Sequence, residues 1–311
     1  MSSSLKIRDF NLYKATAELK KPIADATHTL HEISFLVLRL RLENGIVGES
    51  YLLSFQYSPA AIQGAFKDLL PLVKGYEVFE TGKVLKKADE LSEYFGIQGV
   101  SRWARAAINI AMWDAWAKYL KQPVGKLFGT YQEKCNIYGS GGWISYSISE
   151  LIDEVSNYAE RGFKAVKIKV GSPNWKTDLH RLMEVRNAVG NDVNIMMDAN
   201  QGMTVPAAIQ LARAAQELNI FWFEEPVHHQ DFDGYQALKQ QTGISLAMGE
   251  REYDTLPLLQ LLRRNAIDIW QPDLPRIGSV EEWRESAALA NTHHIPVLPH
   301  YYKDYDVPLV C

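Results

Sequence analysis

The sequence predicts an α/β protein in which an N-terminal α+β domain, residues 1–130, precedes a (β/α) barrel domain, residues 131–311. Three observations predict it. Apolar and polar residues alternate through "ISFLVLRLRLENGIVGESY", residues 33–51, around Asn44-Gly45, whose tolerance of positive φ favours a tight hairpin, so an antiparallel sheet opens the chain. From about residue 135 short apolar runs alternate with helical patterns, as in parallel strands joined by helical crossovers. Each of the later runs ends on a side chain able to do chemistry.

After the opening hairpin, helical patterns occupy about 58–72, about 79–95 and 101–129, the last with Ser101 as a candidate cap and Gly129 at its end. The barrel strands are expected in "NIYGSGG", "AVKIKV", "VNIMMDAN", "IFWFEEP", "ISLAMGE", "AIDIWQPD" and "IPVLPH". Seven strands alternating with six helices favour closure over an open sheet.

Composition narrows the function. Of the 311 residues 47% are apolar and 23% charged, ordinary for a folded globular chain, and the net charge of −4 comes without any basic stripe. Neither nucleic acid nor an anionic membrane surface is indicated as a partner. Two cysteines, Cys135 and Cys311, lie far apart in the sequence, and a disulfide framework or zinc cluster would need more thiols. With no apolar leader and no apolar stretch of membrane-spanning length, the expected location is a reducing cytoplasm.

The strand ends carry the functional signal. In order they present Lys167 and Lys169, Asp198 and Asn200, Glu224 and Glu225, Glu250, Asp273 and His300. The intervals Asp198 to Glu224 and Glu224 to Glu250 are each 26 residues, and Asp273 to His300 is 27, each the length of one β/α unit. Equivalent positions on successive strands therefore face one mouth, at the barrel's carboxyl end. A lone acidic residue there would be an ordinary helix cap; three in succession are not.

Asp198, Glu224 and Glu250 brought together need a cation to offset repulsion and desolvation. Three hard oxygen donors fit Mg²⁺, with Mn²⁺ as substitute. Glu225, turned away by alternation, reads as structural. Lys167 and Lys169 share a strand face, so burial and mutual repulsion are expected to lower the pKa of at least one and make it a base. Asp273 is positioned to accept a ring proton of His300 and fix its tautomer. A metal-held carboxylate between two bases suits removal of the α-proton, with stabilisation of an enediolate.

These residues resemble the enolase superfamily and, within it, the mandelate racemase subgroup. The resemblance rests on the cap pattern "LKKPIADATHTLHEISFLVLRLRLENGIVGES", the helix "AAINIAMWDAWAKYLKQPVGKLFG", the K-x-K of Lys167 and Lys169, the D-A-N of Asp198 and Asn200, "FEEP", "GE", "QPD" and "PH". It implies a (β/α)7β TIM-like barrel, Lys169 as base with Lys167 lowering its pKa and helping to neutralise the substrate carboxylate, His300 with Asp273 on the opposite face, and Asn200 as a substrate contact. It also implies a small carboxylate substrate, a homo-oligomer (dimer or octamer), and specificity loops near residues 17–32 and 51–60, where Lys20, Lys21, His28, His31, Tyr51 and Tyr57 lie.

The implied reaction is dehydration of a sugar acid to a 2-keto-3-deoxy acid, with racemisation or epimerisation of a 2-hydroxy acid as the alternative. Muconate-type cycloisomerisation is disfavoured because that subgroup uses lysines on both faces. Family members continue past this histidine for several tens of residues that supply the last strand, so the resemblance also implies a C-terminally truncated chain with an incomplete barrel.

Overall fold

The computed structural model describes residues 4–311. It opens with β1 (Ile7–Ala24), β2 (Thr29–Leu42) and β3 (Val47–Leu53), an antiparallel sheet in that order. Along β2, Leu36, Leu38, Leu40 and Leu42 point inward and are fully buried. The hairpin expected at Asn44-Gly45 joins β2 to β3: Asn44 Oδ1 accepts from Ile46 N at 3.0 Å and Gly45 has φ 92°.

Helices α1 (Pro59–Val73), α2 (Thr81–Ser92), α3 (Val100–Leu120) and α4 (Val124–Leu127) follow. Small residues let α3 lie close on β3. A Cβ on Gly48 would stand 2.0 Å from the Ala111 carbonyl oxygen. Ser101 is not the cap: Gly99 precedes the first helical residue, and Ser101 lies inside the first turn of α3.

A second sheet is parallel, in the order β4 (Gly139–Gly141), β5 (Ala165–Lys169), β6 (Asn194–Asp198), β7 (Ile220–Glu224), β8 (Leu246–Met248) and β9 (Ile269–Trp270). The crossovers are α5 (Ile148–Glu160), α6 (Trp175–Val189), α7 (Val205–Ala214), α8 (Phe232–Thr242) and α9 (Thr255–Arg263). After β9 come α10 (Leu274–Ile277), α11 (Val280–Thr292) and α12 (Lys303–Val310). This is the α/β barrel architecture expected from the sequence.

The seventh expected strand is a correction. "IPVLPH" forms only one bridge, Val297 to Trp270, supported by Trp270 N to Pro296 O at 3.0 Å and Leu298 N to Trp270 O at 2.9 Å. Pro296 and Pro299 flank it, and neither can donate to a ladder.

Alternation sorts the strand residues between two cores. Val166, Ile168, Ile195, Met197 and Phe223 face the helices. Met196, Trp222, Ala247 and Ile269 pack together on the inner side, with Tyr138, Ala165 and Leu298 against them. Lys167, Lys169, Asp198 and Glu224 share the inner parity.

The first sheet meets the mouth of the second at two places. Between β1 and β2, the tip residue Ala26 sits against Gly171 and Gly202, where added Cβ atoms would fall 2.7 and 2.3 Å from its own. At the outer edge of β3, Tyr305 Oη takes the Tyr51 N–H and donates to Tyr51 O at 2.9 Å, while Tyr302 Oη accepts from Leu53 N at 2.9 Å. Two tyrosine hydroxyls thus satisfy groups that a neighbouring strand would otherwise pair.

Candidate active site

Backbone register builds the first half of the site. Lys169 pairs with Asp198, and Asp198 with Glu224, so these three side chains form a row across β5, β6 and β7. Lys169 Nζ donates to Asp198 Oδ2 at 2.5 Å. Lys167 Nζ bonds to Glu224 Oε1 and lies 3.5 Å from Asp198 Oδ2.

Glu250, just past β8, completes the acidic group. One carboxylate oxygen from each of Asp198, Glu224 and Glu250 lies within 4.8 Å of the others, and all three residues are buried. Glu250 Oε2 has no hydrogen-bond partner. Asp198 and Glu224 are paired with Lys167 and Lys169, and Glu250 lies beside Arg251 and His300. An all-oxygen donor set with an unpartnered carboxylate oxygen fits a hard divalent cation.

His300 approaches from the other side. Its Nδ1 lies 2.9 Å from Asp273 Oδ2, in hydrogen-bond alignment, and its Nε2 stands 3.0 Å from Glu250 Oε2. Asp273 is held in turn by Arg276 N, which donates to Oδ1 at 3.0 Å as α10 begins. The triad therefore has an amine on one flank and an imidazole on the other.

Asn200 follows β6 at φ 41°, a left-handed conformation that asparagine tolerates. Its N–H donates to Asp198 Oδ1 at 2.9 Å, while its own side-chain Oδ1 is buried without a partner. That leaves an acceptor free for a ligand beside the carboxylates.

Charge and burial set the titrations. Burial disfavours the Lys167 ammonium, but the charges of Glu224 and Asp198 outweigh it and hold its pKa well above the ordinary lysine value. The expected lowering is thus reversed for Lys167, because carboxylates rather than the second lysine are its near neighbours. Burial raises Glu224, only partly offset by Lys167. For Asp198 and Glu250 burial is outweighed by cations, Lys169 and Lys167 for the first and His300 and Arg251 for the second, and both carboxyls are lowered. His300 is raised: burial opposes its charge, and Glu250 and Asp273 more than compensate.

Three supporting residues escaped the sequence reading. Gln271 Nε2 and Trp222 Nε1 donate to Glu224 Oε2 at 2.8 and 3.1 Å. Arg251 Nε lies 3.2 Å from Glu250 Oε1 and 3.5 Å from Glu225 Oε2. Alternation from Asp273 back to Gln271, and from Glu224 back to Trp222, was the available signal. Glu225 is fully buried beside Arg251, and burial with the nearby Glu250 charge pushes its carboxyl pKa well up.

The cap loops are shorter than expected. Residues 17–24 and 29–32 are strand, paired at Glu18 with Glu32 and at Ile23 with Leu30 on either side of an irregularity, leaving a loop of only Asp25–His28. Tyr51 lies on β3, with a turn from residue 54 onward. Lys21 reaches Glu150 at 2.5 Å, which ties β1 to α5.

Known proteins resemble this chain over most of its length. Residues 8–129 match the mandelate racemase / muconate lactonizing enzyme N-terminal domain, and residues 150–310 match the enolase C-terminal domain-like family. The arabinonate dehydratase of Saccharolobus solfataricus is 29% identical over 312 residues, covering 95% of this chain and 81% of that protein. The D-galactarolactone cycloisomerase of Agrobacterium fabrum is 30% identical over 302 residues, covering 96% and 79%. A racemase from Streptomyces coelicolor, solved with bound magnesium, superposes with a TM-score of 0.93 at 26% identity, covering 97% and 85%. With both halves of the chain matched and the carboxylates and bases gathered at the strand ends, the chain belongs to the mandelate racemase group of the enolase superfamily.

Proposed function

We propose that the protein is a magnesium-dependent lyase that removes the proton α to the carboxylate of a sugar acid and expels the β-hydroxyl, giving a 2-keto-3-deoxy acid. The observation that carries this reading is the in-register row Lys169–Asp198–Glu224 facing the His300–Asp273 pair across Glu250. Asp198, Glu224 and Glu250 hold Mg²⁺, or Mn²⁺ in its place. The ion supplies positive charge against the negative charge that grows on the substrate carboxylate as its α-proton leaves.

Lys169 Nζ takes the α-proton, and Lys167 adds positive charge beside the substrate carboxylate. His300 Nε2 works from the opposite face, where its proton assists departure of the hydroxyl. Asp273 holds Nδ1–H, so the tautomer and ring plane are fixed before substrate arrives. The unpartnered Asn200 Oδ1 accepts from a substrate hydroxyl. Residues 1–130 act as the cap and 131–311 carry the chemistry.

Proton NMR in D₂O with Mg²⁺ and a panel of sugar acids tests this. New 3-deoxy methylene signals with loss of the α-proton are expected. No 2-keto acid from any member of a broad panel would reject dehydration.

A second reading, isomerisation of a hydroxy acid or its lactone, is favoured by the cycloisomerase and racemase relatives. In the same NMR experiment it appears as α-proton exchange without net loss of water.

A further inference from the structure

Directly after α2 the chain makes a single helical turn, Glu93–Phe95, closed by Gly96, whose N–H donates to Glu93 O at 3.2 Å from a φ of 95°. This turn displays two aromatic rings to solvent. Phe95 is 90% and Tyr94 86% exposed, the highest values among large apolar side chains of the described residues, and the rings meet edge-on with centroids 5.0 Å apart. Leu91, Ile97 and Val100, on either side in the chain, are exposed as well. An apolar patch of this kind marks an interaction site.

A cavity of about 410 Å³ lies beside the same turn. Gln98, three residues after Phe95, forms one wall, and three residues of fully extended chain reach about 11 Å at most, so the rings and the cavity share a face. The other walls are His229 and Phe232, which follow β7, and Glu252, Tyr253 and Asp254, which follow β8. His229 Nδ1 lies 2.7 Å from Glu252 Oε1, and the His229 N–H donates to Gln201 Oε1 at 2.9 Å, so these walls brace each other. The volume falls within the range of about 300–1,000 Å³ that takes up small organic groups. Phe232 and Tyr253 offer aromatic surface, and the Glu252 and Asp254 carboxylates offer acceptors for a phenol hydroxyl.

We propose that this face is a two-fold interface between two copies of the chain, in which Tyr94 and Phe95 of each copy insert into the cavity of the other. A projection and a receiving cavity a few residues apart on one chain are what a self-complementary contact requires, because one rotation satisfies both at once. An unrelated partner would have to supply a matching projection and a matching cavity.

The area is of the right order. An aromatic residue buries about 150–250 Å², so the four rings of a pair remove about 600–1,000 Å², half of the roughly 1,200–2,000 Å² of a stable interface. Leu91, Ile97, Val100 and the cavity walls supply the remainder. Pairing also braces the loops that follow Glu224 and Glu250, since those loops form the cavity.

The experiment measures the mass of the full chain by sedimentation equilibrium across a concentration series and repeats it with the double variant Tyr94→Ser/Phe95→Ser. The unaltered chain is expected at the mass of two chains. The double variant is expected at the mass of one, its dissociation constant raised at least about 100-fold. Both rings are exposed in the single chain, so the variant should keep the far-UV circular dichroism of the folded protein. A second measurement does not depend on that variant. A photoreactive phenylalanine analogue at position 95 is activated in an equal mixture of ¹⁵N-labelled and unlabelled chains, and linked peptides are read by mass spectrometry. Links from position 95 to residues 229–257 of the differently labelled chain are expected. A single-chain mass at every concentration, an assembly that the double variant leaves intact, open-ended growth instead of a closed pair, or links that stay within one chain would each overturn the proposal.

Discussion

The imidazole of His300 is oriented by Asp273, whose Oδ2 lies 2.9 Å from Nδ1, leaving Nε2 directed toward the carboxylate group. Removing the orienting charge should therefore impair catalysis without emptying the site. Asp273→Asn is expected to lower kcat by about 10–100-fold with KM little changed. Steady-state kinetics with the identified acid checks it.

In the proposed mechanism, His300→Asn removes one of two bases. Turnover that depends on the imidazole should fall by about 10²–10⁴-fold, while α-proton exchange driven by Lys169 persists for substrates presenting the other face. Lys169→Ala should give the complementary pattern. Deuterium incorporation followed by NMR separates the two, and equal loss of exchange on both faces in either variant would contradict the division of labour.

The acidic group makes a prediction independent of turnover. EDTA should abolish activity and Mg²⁺ restore it. Manganese binding, read by electron paramagnetic resonance, should weaken at least about 10-fold in Asp198→Asn or Glu250→Gln. Unchanged manganese affinity in both variants would remove these residues from the metal site.

Asp306 yields a pH prediction. It is buried, its Oδ1 lacks a partner, and burial, with a smaller contribution from Asp273, raises its pKa well above the usual 3.8. The folded state therefore binds this proton more tightly than the unfolded chain does. Its stability contribution is complete below pH 3.8 and is lost as pH rises through the raised folded value. Asp306→Asn should raise the melting temperature at pH 7 by about 2–5 °C, with the gain vanishing in acid. Calorimetry across pH measures it.

Tyr305→Phe deletes the hydroxyl that both accepts from and donates to the Tyr51 backbone. The cost should be about 1–3 kcal/mol, because a β3 edge N–H loses its partner. Urea unfolding should show a lower midpoint, and Tyr302→Phe a similar, separate loss.

Much of the site is legible in the sequence because parallel β/α units repeat a geometry. Asp198 and Glu224 are one unit apart and turn out to be directly paired, so their spacing carried their proximity. The Leu36–Leu42 alternation likewise revealed β2. What stayed hidden depends on tertiary partners. β1 from Tyr13 to Glu18 is mostly exposed and lacks a clean alternation, and it is a strand because β2 offers backbone groups to pair. The direction of the Lys167 pKa depends on which oxygen its flexible stem reaches, and spacing says nothing of that.

The tyrosine contacts at β3 also impose an order on biosynthesis. Tyr302 and Tyr305 lie 249 and 254 positions after the backbone groups they engage. At ribosomal rates of about 5–20 residues per second, the first sheet waits on the order of tens of seconds for them. Through that interval the nascent β3 presents an open edge, available to chaperones or to a neighbouring nascent chain. The same residues follow His300 by only a few positions, so the step that closes this edge coincides with delivery of the imidazole. Cap protection and delivery of the imidazole should accordingly come together in translation.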